Sequence, residues 1–237
     1  MNRIGEEKIS NQGCLMKIVE YNGANDITVE FQDEYKARVH TQYHMFKDSS
    51  VRNPYFPEVY GIGYIGNSTP MNNRKVKKSY YVWHSMMLRC YDKKYTDKKK
   101  TYKDCVVCEE WHNFSNFEKW YNENYYEIDG ERMELDKDIL VKNNKIYSPS
   151  TCVFVPSKIN QLFRNGRMFG ISKRGKYFVV RCTNSNGERK WIGSFTNKNI
   201  ALLKYKEYKE KVLREVADKY KDKIPLKLYN AIYNWEV

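Results

Sequence analysis

Long apolar runs are missing from this sequence. No stretch approaches the ~20 apolar residues that a bilayer-spanning helix needs. The opening MNRIGEEKIS also lacks the apolar core that a secretory signal carries. No membrane partner is expected. Cysteine is sparse too: Cys14, Cys90, Cys105, Cys108, Cys152 and Cys182 are scattered, far below the density of a disulfide-stapled domain. A reducing cytoplasm suits them. Cys105 and Cys108 form a Cys-x-x-Cys pair, but structural zinc wants four ligands, usually from two such pairs, and no second pair follows. No zinc is expected.

What is present points elsewhere. Hydrophobic residues make up 41% of the chain and aromatics 15%, which argues against wholesale disorder. Tyrosine has 21 copies; it packs half-buried with its hydroxyl wet, so small domains with thin cores and aromatic-rich surfaces are expected. At 237 residues, two or three such domains fit. Lys and Arg number 42 against 29 acids, a formal charge of +13. A basic chain seeks polyanions, and phosphate backbones are the commonest in a cell. The charge is also segregated. Residues 73–103 carry 11 Lys and Arg against two acids, and residues 164–223 carry 17 against six, so the remainder is net acidic. Segregation of that kind favours binding surfaces over general solubility.

Local patterning predicts an α+β fold. Residues 1–66 read as a small β domain without evident chemistry: LMKIVEY and DITVEF alternate as strands, with Asn22-Gly23 in the turn between them. Residues 67–80 look like a basic linker. A helix follows, with Trp83, Met86, Met87 and Cys90 along one face, then a Lys-rich loop. The run EEWHNFSNFEKWYNENYY is a second helix whose stripe of Trp111, Phe114, Phe117 and Trp120 reads as a buried face rather than a base-stacking platform. Residues 133–163 read as strand, Asn-rich turn, strand, then a helix from Pro156-Ser157. Strands are expected over 169–183 and 188–196, and a long helix over 197–222. Its apolar stripe is Ala201, Leu202, Tyr205, Tyr208, Val212, Val216 and Tyr220. The final NAIYNWEV is a short helix or strand.

Residues 81–165 carry an ordered series. It runs Trp83-x-x-Met86, Arg89-Cys90-Tyr91, Val107-Cys108-Glu109-Glu110-Trp111, Phe114, Phe117 and Trp120, then Leu135-Asp136-Lys137-Asp138, Tyr147-Ser148-Pro149 and Cys152. The series resembles a family of HNH-endonuclease-like proteins common in phages of Gram-positive bacteria, over about residues 80–163. The resemblance implies a ββα-metal fold, in which two strands and a helix hold one divalent cation, Mg²⁺ or another, over a scissile phosphate. Full HNH sites end the first strand in Asp-His or His-His; the matching text here is Asp136-Lys137-Asp138. Asp136 is then the implied metal ligand, and Lys137 an electrostatic stabiliser of the transition state. The asparagine that orients the base is Asn143 or Asn144, and the last motif position, on the helix, is Asn160. Asp136 and Asp138, alternating along a strand, would point to opposite faces. No histidine lies between Asp136 and Asn160; His40, His44, His84 and His112 are all upstream, where surface or packing roles are expected. The unit therefore reads as a degenerate HNH unit.

Residues 166–237 read as a three-stranded antiparallel sheet plus helix. The text GISKRGKYFVVRCTNSNGERKWIGSFTNKNIALLKYKEYKE gives a basic strand, an alternating strand, an Asn-Gly turn, a third strand and a helix. It resembles the DNA-binding domain of plant Apetala/ethylene-response factors over about residues 168–212, most specifically at Gly187 and Trp191-Ile192-Gly193-x-Phe195. That family lays a sheet in the major groove of duplex DNA, where basic residues and Trp read bases and phosphates. The implied readers are Arg174, Lys176, Tyr177, Arg181, Arg189 and Trp191. Strand parity agrees in outline, because Arg181 falls on the face opposite Phe178. Lys204, Lys206, Lys209 and Lys211 read as a solvated helix face.

Two functions follow. One is a phage or mobile-element DNA-binding protein of HNH homing-endonuclease type, a metal-dependent nickase. The other is a catalytically inactive phage factor with the same folds, a regulator or an inhibitor of a host defence system that grips a host protein or nucleoprotein complex. Double-stranded DNA is the partner common to both.

Overall fold

Alternation of apolar and polar residues near the N-terminus builds a four-stranded antiparallel meander. Its strands are β1 (Glu7–Ile9), β2 (Leu15–Gly23), β3 (Asp26–Phe31) and β4 (Arg38–Thr41), paired in that order. Residues 2–163 and 170–237 of the chain are described by the computed structural model. The chain forms two compact units, Met1–Glu123 and Asn124–Val237. The fold is mixed α+β, as composition and patterning predict.

In the first unit, Met16, Ile18, Ile27, Val29 and Phe31 fill one face of the meander and pack with Phe46 of helix α1 (Tyr43–Lys47). The turn between β2 and β3 falls after Asn22-Gly23 rather than on it, because the strand runs on through Gly23, paired with Asp26. The segment read as a linker holds a hairpin, β5 (Met71–Asn72) with β6 (Lys75–Val76), and leads directly into helix α2 (Lys78–Tyr91). A short helix α3 (Lys93–Lys98), a 3-10 turn (Lys100–Tyr102) and strand β7 (Val106–Val107) follow. A second 3-10 turn (Glu109–His112) precedes α4 (Phe114–Asn124), so the expected single helix is broken at Asn113. Trp83, Met86, Met87, Trp111, Phe114 and Phe117 are fully buried, and the Trp83 indole N–H donates to the Trp111 carbonyl at 2.7 Å. The aromatic stripe is core.

In the second unit, β8 (Met133–Asp136) pairs antiparallel with β10 (Val153–Pro156), and α5 (Ser157–Phe163) continues directly from β10. The loop between the strands carries the short strand β9 (Ile146–Tyr147). Strands β11 (Ile171–Arg174), β12 (Tyr177–Thr183) and β13 (Arg189–Phe195) form a three-stranded antiparallel sheet in sequence order. The stretch expected as one strand over 169–183 is divided by a turn at Gly175-Lys176, and the 165/166 boundary lies outside the described residues. Helix α6 (Lys198–Tyr220) then runs for 23 residues, capped by the Asn197 side chain on the Asn199 and Ile200 amides. A last helix, α7 (Leu226–Tyr233), packs back on α6 through Leu228 and Ile232.

Helix α6 serves two cores. Ala201 and Tyr205, near its start, pack under the sheet with Ile171, Phe178, Val180, Ile192 and Phe195. Val212, Leu213, Val216 and Ala217, further along, join Val153, Val155 and Ile159 of the strand–strand–helix element. Burial of apolar side chains at both ends, at about 25 cal/mol per Å², ties the two substructures to one rod. Leu202, expected inside, is 37% exposed, and Lys209 takes an inward position instead.

Candidate nucleic-acid interface and candidate ββα site

The sheet of the second unit has one face on α6 and one face outward. Cross-strand neighbours share a face, so the register assigns side chains to sides. Arg174 pairs with Tyr177, Arg181 with Trp191, and Thr183 with Arg189, all on the side away from Val180 and Ile171. A bulge between Val180 and Arg181 sets the last two pairs in register. Trp191 is 65% exposed and Tyr177 42%, large apolar areas for a solvent-facing sheet. Lys176 sits in the turn beside them, its ammonium 5.4 Å from the centre of the Tyr177 ring. Val179 shares this side and is buried. The structure thus brings five of the six expected readers to one face and the sixth to its edge.

Two glycines shape this face. Gly170 has φ +64, and its carbonyl accepts from the Arg181 amide at 2.8 Å; a Cβ there would sit 1.9 Å from the Arg181 carbonyl oxygen. Gly193 lets the Phe195 ring lie where a Cβ would stand, 2.7 Å away. Both keep backbone and ring close enough to hold Arg181 and Trp191 in register.

The charge on the face is unspent. Among the described residues, Arg174, Lys176, Arg181 and Arg189 form no ion pair and no side-chain hydrogen bond. Along α6 the opposite holds: Lys204 pairs with Glu207, Lys206 with Glu210 and Lys211 with Glu215 at helical spacing. Those helix lysines are a solvated, self-neutralised face. Lys209 is not one of them; it is 8% exposed beneath the sheet near Cys182, and burial pushes its amine below the ordinary lysine range.

The second candidate site is the element β8–β10–α5. Glu134 pairs with Val155 and Asp136 with Val153, so both carboxylates stand on the side occupied by the core that includes α5's Ile159. The Ser157 hydroxyl donates to Glu134 Oε1 at 3.1 Å, and Asn160 Nδ2 donates to Glu134 Oε2 at 2.8 Å. Asp136 Oδ1 accepts the amides of Asp138 and Ile139 at 2.7 and 2.8 Å, turning the chain out of the strand. Burial pushes the Asp136 carboxyl above the usual carboxylate range, although those two amides pull it down. Among the described residues, Asp136 Oδ2 and Asn160 Oδ1 have no hydrogen-bond partner. Two hard oxygens are left open on the helix side of the hairpin.

The loop after Asp136 uses the other expected residues internally. Strand β8 ends at Asp136, so strand alternation does not reach Asp138. Lys137 is 5% exposed; its ammonium is held by both Asp138 oxygens at 2.8 Å and by the Asn144 carbonyl at 2.6 Å. Asn144 Nδ2 donates to the carbonyls of Lys137 and Ile146, and its Oδ1 accepts the Ile146 amide. Asn144, rather than Asn143, therefore fixes the backbone next to Asp136. Asn143 takes a left-handed turn at φ 62.

In the first unit His84 and His112 pack inward, whereas His40 and His44 are exposed. His112 Nε2 lies 3.2 Å from both the Tyr91 hydroxyl and the Val107 carbonyl. His84 packs against the rings of Tyr60 and Tyr80. Sequence reasoning passed over Glu134. The signal was available: it lies two residues before Asp136 on a strand, hence on the same face.

Among the described residues, no group of three or more His, Cys, Asp and Glu side chains is arranged to hold a metal ion, and no helix is long and apolar enough to cross a membrane. Compared with known proteins, the chain matches no protein-family model, no curated protein and no solved structure.

Proposed function

We propose that this protein binds duplex DNA through the outward face of β11–β13. One observation carries the reading: an exposed Trp191 and Tyr177 stand among Arg174, Lys176, Arg181 and Arg189, none of which has an acidic partner among the described residues. Unpaired guanidinium groups are suited to bidentate contact with guanine edges and phosphates, and a flat ring beside them adds apolar contact. A twisted three-stranded sheet is one of the shapes that enter a major groove.

The test is anisotropy of a labelled duplex against wild type, Arg181→Ala and Trp191→Ala, first with random sequence and then with a selected site. Either substitution is expected to weaken binding to the selected site by about 1–3 kcal/mol. Unchanged affinity in both variants moves the reading face elsewhere.

A second reading concerns β8–β10–α5, and the open oxygens of Asp136 and Asn160 favour it. It makes the element a phosphodiester site of HNH ancestry. Carboxylate and amide oxygens suit a hard cation such as Mg²⁺, so the donor set fits. Asp136 and Asn160 would hold the ion, with Glu134 orienting Asn160 from behind; a bound cation there would offset charge developing on a phosphate. The loop clamp of Lys137 and Asn144 positions Asp136. The rival to this second reading is a binding protein without chemistry, a phage regulator or an inhibitor of a host defence, which the lack of any histidine between Asp136 and Asn160 favours.

A further inference from the structure

The basic block at residues 73–103 lies wholly in the first unit and contains none of the residues of the two sites described in the second. Its ends are two clusters. Arg74 and Lys75 are exposed at the β5–β6 hairpin, where Asn73 and Arg74 take left-handed φ values of 47 and 63. Lys93, Lys94 and Lys98 of α3, with Lys99 and Lys100 entering the 3-10 turn, are exposed at the other end. Among the described residues, none of these seven side chains has an ion pair or a hydrogen bond.

Nearby structure keeps them unneutralised. Asp92, the acid that opens this segment, turns its carboxylate onto the Tyr95 amide at 2.7 Å as the cap of α3. The lysine-rich segment is also ordered: the Tyr95 and Tyr102 rings lie 5.8 Å apart, and the Arg89 guanidinium lies over Tyr102 at 5.8 Å. Between the clusters runs α2, which contains no acidic residue and shows Lys78, Tyr81 and Ser85 to solvent. Its 14 residues span about 21 Å. That length matches about six phosphates along one strand, at ~3.4 Å each. Ordinary solubilising lysines resemble those of α6, which carry glutamates at helical spacing. Here the acid at such spacing is Asp97 of α3, four residues after Lys93 and three after Lys94, and among the described residues neither lysine pairs with it.

We infer that the first unit carries a second, sequence-independent contact surface for the phosphate backbone of duplex DNA, formed by α2, α3, the hairpin before α2 and the 3-10 turn after α3. The inference rests on the reading that the protein binds duplex DNA, and assigns part of that binding to a unit outside the sheet.

The experiment uses the full chain and a fluorescein-labelled random-sequence duplex, titrated at several KCl concentrations. The test variant carries Lys→Gln at positions 93, 94, 98, 99 and 100; the control carries Lys→Gln at the ion-paired positions 204, 206 and 211. All eight residues lie on the surface, and circular dichroism verifies that both variants fold. The slope of log affinity against log salt should fall by about 0.9 for each contact removed, so by up to about 4.5 in the test variant and less than about 1 in the control. Equal slope and affinity in wild type and test variant overturn the inference and leave sheet-mediated binding intact, as does an equal loss in the control. A wild type that binds no duplex at any salt overturns the DNA reading itself, and this surface with it.

Discussion

Three donors meet at the Glu118 carboxylate: the Ser68 and Ser79 hydroxyls and the Lys77 ammonium. They fasten the start of α2 to α4. Burial by itself would raise this carboxyl, but the three hydrogen bonds outweigh it and hold the group below the ordinary value of 4.5. The sign follows from linkage. A lowered folded value means the unfolded chain binds the proton more readily, so the contribution is full above about pH 4.5 and is lost as pH falls through the folded value. Glu118→Gln should therefore lower the melting temperature at pH 7, with the gap to wild type closing below about pH 4.5. A gap that stays constant from pH 7 to pH 3 would show that the carboxylate's charge is irrelevant there. The same residue explains a selectivity in the basic block: Lys77 is consumed by Glu118, whereas Arg74 and Lys75, three and two positions earlier, are not. Lys137 and Asn144 teach the converse. Sequence marks them as chemistry, yet their polar atoms close a loop around Asp136.

Helix α6 shows what was legible and what was not. Its extent and most of its buried side follow from the 3.6-residue period. The period also runs through 201, 205, 209, 212 and 216, and position 209 holds a lysine. Preference for apolar residues steered the expected stripe to Leu202 and Tyr208, while the geometry buried Lys209 and exposed Leu202. Strand positions were more legible, because period-2 alternation in DITVEF and FVVRC leaves little choice of face, and the outward face that carries Arg181 and Trp191 emerged with them. The hairpin at 71–76 was hidden by two-residue strands too short to show any period. The partnership of Glu134 with Asn160 spans 26 residues and depends on α5 folding back, which spacing alone does not reveal. Lys209 supplies a prediction at this scale. The residue is 8% exposed, its amine has no hydrogen bond or ion pair among the described residues, and burial lowers its proton affinity. Lys209→Met keeps the stem and removes the charge, so it should stabilise the second unit by about 1 kcal/mol at pH 7. Because the folded value is depressed, the penalty is full below it and fades as pH rises toward ~10.4, so the advantage of the variant should shrink in alkali. A variant melting at or below wild type at pH 7 would mean the amine is solvated in place.

Across the second unit, α6 links the sheet proposed to read DNA with the element proposed to act on it. The two buried patches on the helix, centred near Ala201–Tyr205 and Val212–Ala217, are about 11 residues apart, or roughly 16 Å along the axis. A helix packed at both ends fixes that offset. If the element cuts, it should cut at one constant distance from the sequence the sheet protects, not throughout the bound DNA. The assay is conversion of supercoiled plasmid to open circle with Mg²⁺, Mn²⁺ or EDTA, for wild type beside Asp136→Ala and Asn160→Ala. The phosphodiester reading expects metal-dependent nicking that Asp136→Ala abolishes and Asn160→Ala lowers by about 10–100-fold, with binding to duplex retained in both variants. Nicks mapped on a selected site should cluster at one position beside the footprint. Salt-sensitive binding with no nicking in either metal ends that reading. It then leaves the element as scaffold for Asp136 and its loop, and directs the search toward a protein or nucleoprotein that the bound chain would recruit or block.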